Sequence, residues 1–183
     1  MFKVVIFTVL FLFFSAGQLF SSETIKFISE DLLSLPFGER IETFILFKYI
    51  TMVNPKQDIM LSYAVARSIV RESKEFPFPL ELIVGISRIE SGFNPFARSH
   101  KDARGLMQVH YPTWKRYFDG QRLLKDPFYN TKAGLKVLNY YYKVNNENLK
   151  HAIYDYYGAK SKSYLRAVLR ETERYKKFRR GPR

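Results

Sequence analysis

The residues best suited to chemistry lie between Ile83 and Gln108. Glu90 follows Ile83 by seven residues and Ile86 by four, so on a helix the three side chains share one face. That face is apolar, and a carboxylate on it is partly desolvated. Ser91-Gly92 reads as the helix exit, with glycine at the left-handed position. Glu90 then sits in the last turn, where the negative end of the helix dipole opposes a further negative charge. Both effects raise its pKa. A carboxylic acid kept protonated near neutral pH is suited to protonating a leaving oxygen, as in a glycosidic bond. The competing expectation is an ordinary surface glutamate paired with Arg88 or Arg98.

The surroundings of Glu90 decide between the two. Glu90-Ser91-Gly92-Phe93-Asn94-Pro95 is followed by Ala97-Arg98-Ser99 and then by Gly105-Leu106-Met107-Gln108. This constellation resembles the soluble lytic transglycosylase (SLT) family, whose domain is similar to goose-type lysozyme. The family pattern is a catalytic Glu in E-S-x-F/W-N-P, a Ser nine residues on, and G-L-M-Q six to nine residues beyond that Ser; all three spacings match. Three ordered motifs at one spacing are far more specific than any one alone. Asp126-Pro127 with Asn130 and Gly134 is similar to the family's D-P-x-x-N segment, and Tyr164 to Tyr175 resembles its closing helix. The likeness covers roughly Asp58 to Phe178. It implies an all-α, lysozyme-like (goose-type/SLT) helical domain.

The resemblance assigns Glu90 as the single general acid/base. It assigns Ser91 and Ser99 as hydroxyls holding the carboxyl and the sugar, and Gly105 as a close approach of backbone to glycan. Met107 and Gln108 would line the groove. Ser91 reads equally well as a helix-end hydroxyl, and Met107 as core packing. Two segments depart from the pattern. Where the family has M-P-x-T, this chain has Val109-His110-Tyr111-Pro112-Thr113. Where it has A-Y-N-x-G, this chain has Ala152-Ile153-Tyr154-Asp155-Tyr156-Tyr157-Gly158. Alignment on Tyr-Asn favours Tyr154 as the site tyrosine, with Tyr156 second; the rest of the cluster is expected to be aromatic core.

The implied reaction cleaves the β-1,4 bond between N-acetylmuramic acid and N-acetylglucosamine in peptidoglycan. Glu90 protonates the bridging oxygen and then takes the proton of the muramic 6-hydroxyl, which closes a 1,6-anhydro ring. Most glycosidases use two carboxylates instead. Should Asp102 or Asp155 reach the far face of the anomeric carbon, the chain would be a hydrolysing muramidase. A third expectation is a non-catalytic, exported, basic module that binds glycan or polyanions.

Composition narrows the field further. Apolar residues make up 46% and aromatics 17% of 183 residues, which argues against disorder. Cysteine is absent, excluding disulfides, Cys-ligated metals and a Cys nucleophile. His100, His110 and His151 lack ligand spacing, so neither metal nor cofactor is expected. The net charge of +13 points to an anionic partner. It is read as attraction of a basic surface to the anionic cell envelope rather than to nucleic acid, with peptidoglycan glycan strands as substrate and a cell-envelope machine as a further candidate partner.

Several elements must position Glu90. Leu80–Ser91 is expected to be a core helix, entered through Pro77 and Pro79. Further helices are expected over Glu39–Met52, Asp58–Phe76, Thr113–Phe118, Asn130–Val144 (Asn130 as N-cap), Leu149–Tyr157 and Ser163–Phe178. The basic stretch after Arg170 is expected to fray. No period-2 run of useful length appears. Lys3, the apolar run Val4–Phe14 and the small residues Ser15, Ala16 and Gly17 read as an export signal, or as an uncleaved anchor if Leu19 and Phe20 extend the run. The expected organisation is a signal over 1–22, an accessory helical segment over 23–56, the SLT domain over 57–178 and a basic tail over 179–183, in an exported protein of the periplasm or cell envelope.

Overall fold

The computed structural model describes residues 21–181. The expected export signal rests mainly on residues 1–20, which lie outside the described residues. Ser21 caps α1 (Ser22–Ser34), its hydroxyl accepting from the Thr24 amide. Pro36 precedes α2 (Phe37–Val53). Asp58 caps α3 (Ile59–Ser73) by accepting from the Leu61 amide at 2.9 Å. That helix stops three residues short of the expected Phe76. Phe76 precedes Pro77, and a residue before proline is pushed out of the α region.

Helix α4 (Leu80–Ser91) keeps its expected bounds, with Gly92 at φ 63° closing it in the left-handed region. A hairpin of β1 (Ala103–Arg104) and β2 (Val109–His110) follows, pairing Ala103 with His110 and Arg104 with Val109. Its strands are too short to leave a period-2 signal. Next come α5 (Tyr111–Trp114) and α6 (Arg122–Lys125). The first begins before the expected Thr113 because Pro112 falls in its first turn, where proline is favoured.

Helix α7 (Pro127–Val144) corrects the Asn130 expectation. The cap is Asp126, which accepts from the Tyr129 amide at 3.0 Å, and Asn130 is fully buried one turn inside. Asn148 caps α8 (Leu149–Tyr157), and Gly158 at φ 80° ends it. Ser161 caps α9 (Lys162–Arg180). This last helix does not fray after Arg170: Tyr175 is fully buried, and Arg179 pairs with Glu42 of α2 and Glu81 of α4.

Helices α4 and α9 form the most extensive helix pair. They come together at Gly85, where a Cβ would stand 2.5 Å from Thr172 Oγ1 and 2.9 Å from the Val168 carbonyl oxygen. On the far side α2 packs on α3, α3 on α7 and α7 on α8. The all-α expectation holds. The core runs continuously from Leu46, Phe47 and Ile50 through Ile69, Ile83 and Ile86 to Leu106 and Met107. No helix among the described residues is long and apolar enough to cross a membrane.

Candidate active site

Glu90 projects from the last turn of α4 into a cavity of about 640 Å³. Burial pushes its carboxyl up to about 7 from an ordinary 4.5, because desolvation penalises the charged form. The opposing influence is Tyr164, which donates a hydrogen bond to Glu90 Oε1. Tyr164 stands in the first turn of α9, where Ser161 Oγ accepts from its amide. Its ring stacks on that of Tyr157, with centroids 4.1 Å apart and planes 16° from parallel. Burial and the neighbouring Glu90 push the Tyr164 phenol well above its ordinary range, so it remains a donor.

Glu90 has no ion pair among the described residues. Arg98 holds Asp102 at 2.6 Å, and Arg88 lies over the Phe93 ring at 6.0 Å. The paired surface glutamate is therefore the wrong description.

The opposite wall is the turn from Ser99 to His110. Ser99 Oγ accepts from the Ala103 amide at 3.0 Å. Asp102, at φ 60°, is gripped by Arg98 and Arg104, whose guanidinium groups hold its carboxyl down at about 2. Asn130 fixes the floor of the turn. Its Oδ1 accepts from the Met107 amide at 2.8 Å, and its Nδ2 donates to the carbonyls of Arg104 and Leu123. Tyr156 donates to the Met107 carbonyl at 2.6 Å, and Ser91 Oγ to the Leu106 carbonyl at 2.6 Å. Helices α4, α7 and α8 thus grip one turn through three consecutive groups of its backbone.

A family model described as the transglycosylase SLT domain matches residues 67–177. The chain belongs to that family. Curated relatives from Salmonella arizonae, Salmonella paratyphi B and Salmonella typhimurium, each named membrane-bound lytic murein transglycosylase C, are 35% identical over 109 residues. That match covers 51% of this chain and 30% of each relative, so the chain spans under a third of the proteins it matches. No solved structure matches.

Within this SLT domain four of the sequence-derived site residues line the cavity: Glu90, Ser99, Gln108 and Tyr156. Gln108 Nε2 donates to the carbonyls of Ala97 and Gly105, which fixes the amide and leaves its Oε1 as the acceptor. The other four stand behind the wall. Ser91 is spent on Leu106. Gly105, at φ 76°, brings the turn against Asn130 and Leu123, where a Cβ would meet Asn130 Nδ2 at 2.1 Å, and it is not among the cavity-lining residues. Met107 is fully buried in the core and packs against Gly134. Tyr154 is buried beside His151 and is not among the cavity-lining residues.

Tyr164 is the residue that sequence reasoning missed. It appears in the sequence only as the start of a helix, 74 residues from Glu90, and no local pattern joins the two. Asp155 is the second carboxylate in the cavity wall and accepts from Asn145 Nδ2 at 2.7 Å. Asp102 is not among the lining residues. Among the described residues no cluster of His, Asp and Glu could hold a metal ion.

Proposed function

We propose that this chain is a peptidoglycan lytic transglycosylase with Glu90 as its general acid and base. The observation that carries the reading is the buried carboxyl of Glu90, pushed up to about 7 and projecting into a cavity walled by hydrogen-bonding side chains. With the bond between N-acetylmuramic acid and N-acetylglucosamine beside it, Glu90 gives its proton to the bridging oxygen. The C–O bond to the muramic anomeric carbon breaks, and the N-acetylglucosamine side leaves as an alcohol. The substrate's own N-acetyl group covers the positive charge left on that carbon. Glu90, now a carboxylate, takes the proton from the muramic 6-hydroxyl, whose oxygen closes the 1,6-anhydro ring. The proton count balances and no water is consumed.

One group must act first as acid and then as base, which favours a pKa near the working pH. Burial alone would favour the acid form. The Tyr164 hydroxyl stabilises the anion that the second step needs. Ser99 offers its hydroxyl proton and Gln108 its Oε1 acceptor to sugar hydroxyls and N-acetyl groups, while Tyr156, donating to the Met107 carbonyl, holds that wall in place.

The relatives' name includes membrane attachment, and the net charge of +13 suits an anionic envelope. We extend the proposal to an exported protein acting at the envelope, with residues 1–22 as its signal or anchor.

The test is digestion of purified peptidoglycan by the full chain, read by mass spectrometry, with Glu90→Gln alongside. Expected products are anhydro-muropeptides, lighter by one water than hydrolytic ones, and absent with the variant. Loss of a general acid costs about 10²–10⁴-fold or more, so a variant retaining a tenth of the activity would remove Glu90 from this role. Reducing-end products would indicate hydrolysis, with Asp155, the second carboxylate in the cavity wall, as the candidate to activate water. Their disappearance in Asp155→Asn would establish that assignment.

A further inference from the structure

Helix α2 is apolar on two opposite faces. Thr43, Leu46, Phe47, Tyr49 and Ile50 are buried against the domain. Phe37, Ile41, Phe44, Ile45, Lys48 and Met52 fall on the other side, within about 100° of arc and along about 22 Å of axis. Phe37 is 72%, Met52 53% and Ile41 39% exposed, and Phe44 and Ile45 are half-buried. A helix at the surface of a globular domain ordinarily turns charged and polar residues outward, whereas here Lys48 alone in the arc is polar. The two acids of α2 lie off this face and are already neutralised, Glu39 by Arg67 and Lys74 and Glu42 by Arg179.

Cations border the stripe. A cleft of about 510 Å³ between α2 and the end of α9 joins Phe44, Ile45 and Phe178 to the exposed Lys48, Lys177 and Arg180. None of these three cations forms an ion pair among the described residues, while Arg179 beside them is paired with Glu42 and Glu81. Lys48 Nζ lies 5.9 Å from the Phe44 ring centroid, so its stem follows the apolar surface and its amine stands at the edge. An exposed apolar stripe rimmed by charge marks an interaction face. Unpaired cations select an anionic lipid surface as the occupant: the stripe enters the acyl boundary and the amines and guanidinium meet headgroup phosphates. Charge opposes a second copy of the chain, since a two-fold contact would bring these cations onto themselves in a molecule of net charge +13.

We propose that the outer face of α2 and the end of α9 form a docking face for an anionic membrane, with α2 lying along the lipid surface. This face shares no lining residue with the Glu90 cavity, so the inference is independent of the glycan-cleaving reading. It specifies the envelope contact proposed above.

The chain has no cysteine, so Ile41→Cys in the full chain carries a single environment-sensitive fluorophore within the stripe. It is titrated with vesicles of phosphatidylglycerol and phosphatidylethanolamine, and separately with vesicles of phosphatidylcholine. The expected result is a blue shift of emission that saturates with the anionic vesicles only. Lys48→Gln with Lys177→Gln and Arg180→Gln should weaken that partitioning about a hundredfold, while the thermal melt and peptidoglycan digestion stay at the wild-type level. A shift produced by the apolar run Val4–Phe14 alone would appear equally with both lipids and survive the triple substitution. No shift with anionic vesicles, an equal shift with neutral ones, or a shift that survives the triple substitution overturns the docking face. So does a label already blue-shifted without vesicles: loss of that shift on dilution would assign the face to a second copy, and persistence would assign it to a segment of the chain itself. Fractionation of expressing bacteria separates this claim from the envelope placement. Recovery of the full chain in the envelope with no shift on vesicles leaves the placement standing and removes the docking face; absence from the envelope with no shift removes both.

Discussion

Two forces of opposite sign act on Glu90, and each can be removed separately. Burial raises its pKa to about 7, and the Tyr164 hydrogen bond pulls it down. Tyr164→Phe leaves burial in place and deletes the bond. A hydrogen bond to a charged group is worth about 1.5–3 kcal/mol, so the pKa should rise by about one unit or more. The alkaline limb of the cleavage rate, where the acid form is lost, should move to higher pH by that amount. A profile unmoved in Tyr164→Phe would show that the contact does not tune the acid. The stability effect runs the other way with pH. A carboxyl whose folded pKa exceeds its unfolded one contributes stability that is full below about 4.5 and is lost as pH rises through about 7. Glu90→Gln carries no such group. It should melt close to wild type at pH 4.5 and above it at pH 8, by up to about 3 kcal/mol or about 5–10 °C. Calorimetry at the two pH values checks this; a variant less stable at pH 8 would contradict the burial argument.

At the scale of elements, what the sequence discloses depends on where each signal resides. The bounds of α4 were legible because Pro79 and Gly92 are local stops. The start of α7 was misplaced because Asn130 carries the chemistry of a cap, yet Asp126 before Pro127 takes that role and Asn130 serves the Ser99–His110 turn instead. The end of α9 was misjudged because its basic residues look solvated along the chain. Their partners, Glu42 and Glu81, sit on other helices. The site divided in the same way: Glu90, Ser99 and Gln108 follow from motif spacing, whereas Tyr164 reaches Glu90 only through packing of α9 on α4. Gly85 makes that packing possible, which yields a prediction for the element pair. A Cβ there meets the Val168 carbonyl at 2.9 Å, a backbone atom that cannot rotate away. Gly85→Ala should force the helices apart, costing about 1–3 kcal/mol, and should lower cleavage by drawing Tyr164 off Glu90. Gly38 is a matched control, since nothing lies within 4 Å of a Cβ there; Gly38→Ala should leave cleavage unchanged. Equal effects at the two glycines would dissociate the helix pair from the site.

On the scale of the whole molecule, residues 23–56 were expected to be an accessory segment outside the SLT domain, and the family match begins only at residue 67. The core does not respect that boundary. Leu46, Phe47, Tyr49 and Ile50 of α2 are all fully buried. Phe47 meets Tyr63 edge-on at 5.6 Å, and Tyr49 meets Tyr175 at 5.0 Å and Phe93 at 6.3 Å. Phe93 follows Glu90 by three residues, so α2 backs the loop that leaves the helix bearing Glu90. Asn54 at its end reinforces this by donating to the Gly92 carbonyl at 3.2 Å. Burying Leu46, Phe47 and Ile50 contributes about 5–9 kcal/mol, comparable to the whole stability of a typical domain, about 5–15 kcal/mol. A fragment comprising residues 57–183 should therefore fail to unfold cooperatively and should bind dyes that seek exposed apolar surface. It should also lose cleavage, although every motif residue remains. Removing residues 1–20 alone leaves these contacts intact and should preserve both the melting transition and activity. A sharp, wild-type-like melt for the 57–183 fragment would show that α2 only decorates the domain. Loss of folding would make α1 and α2 part of the fold that holds Glu90 in place.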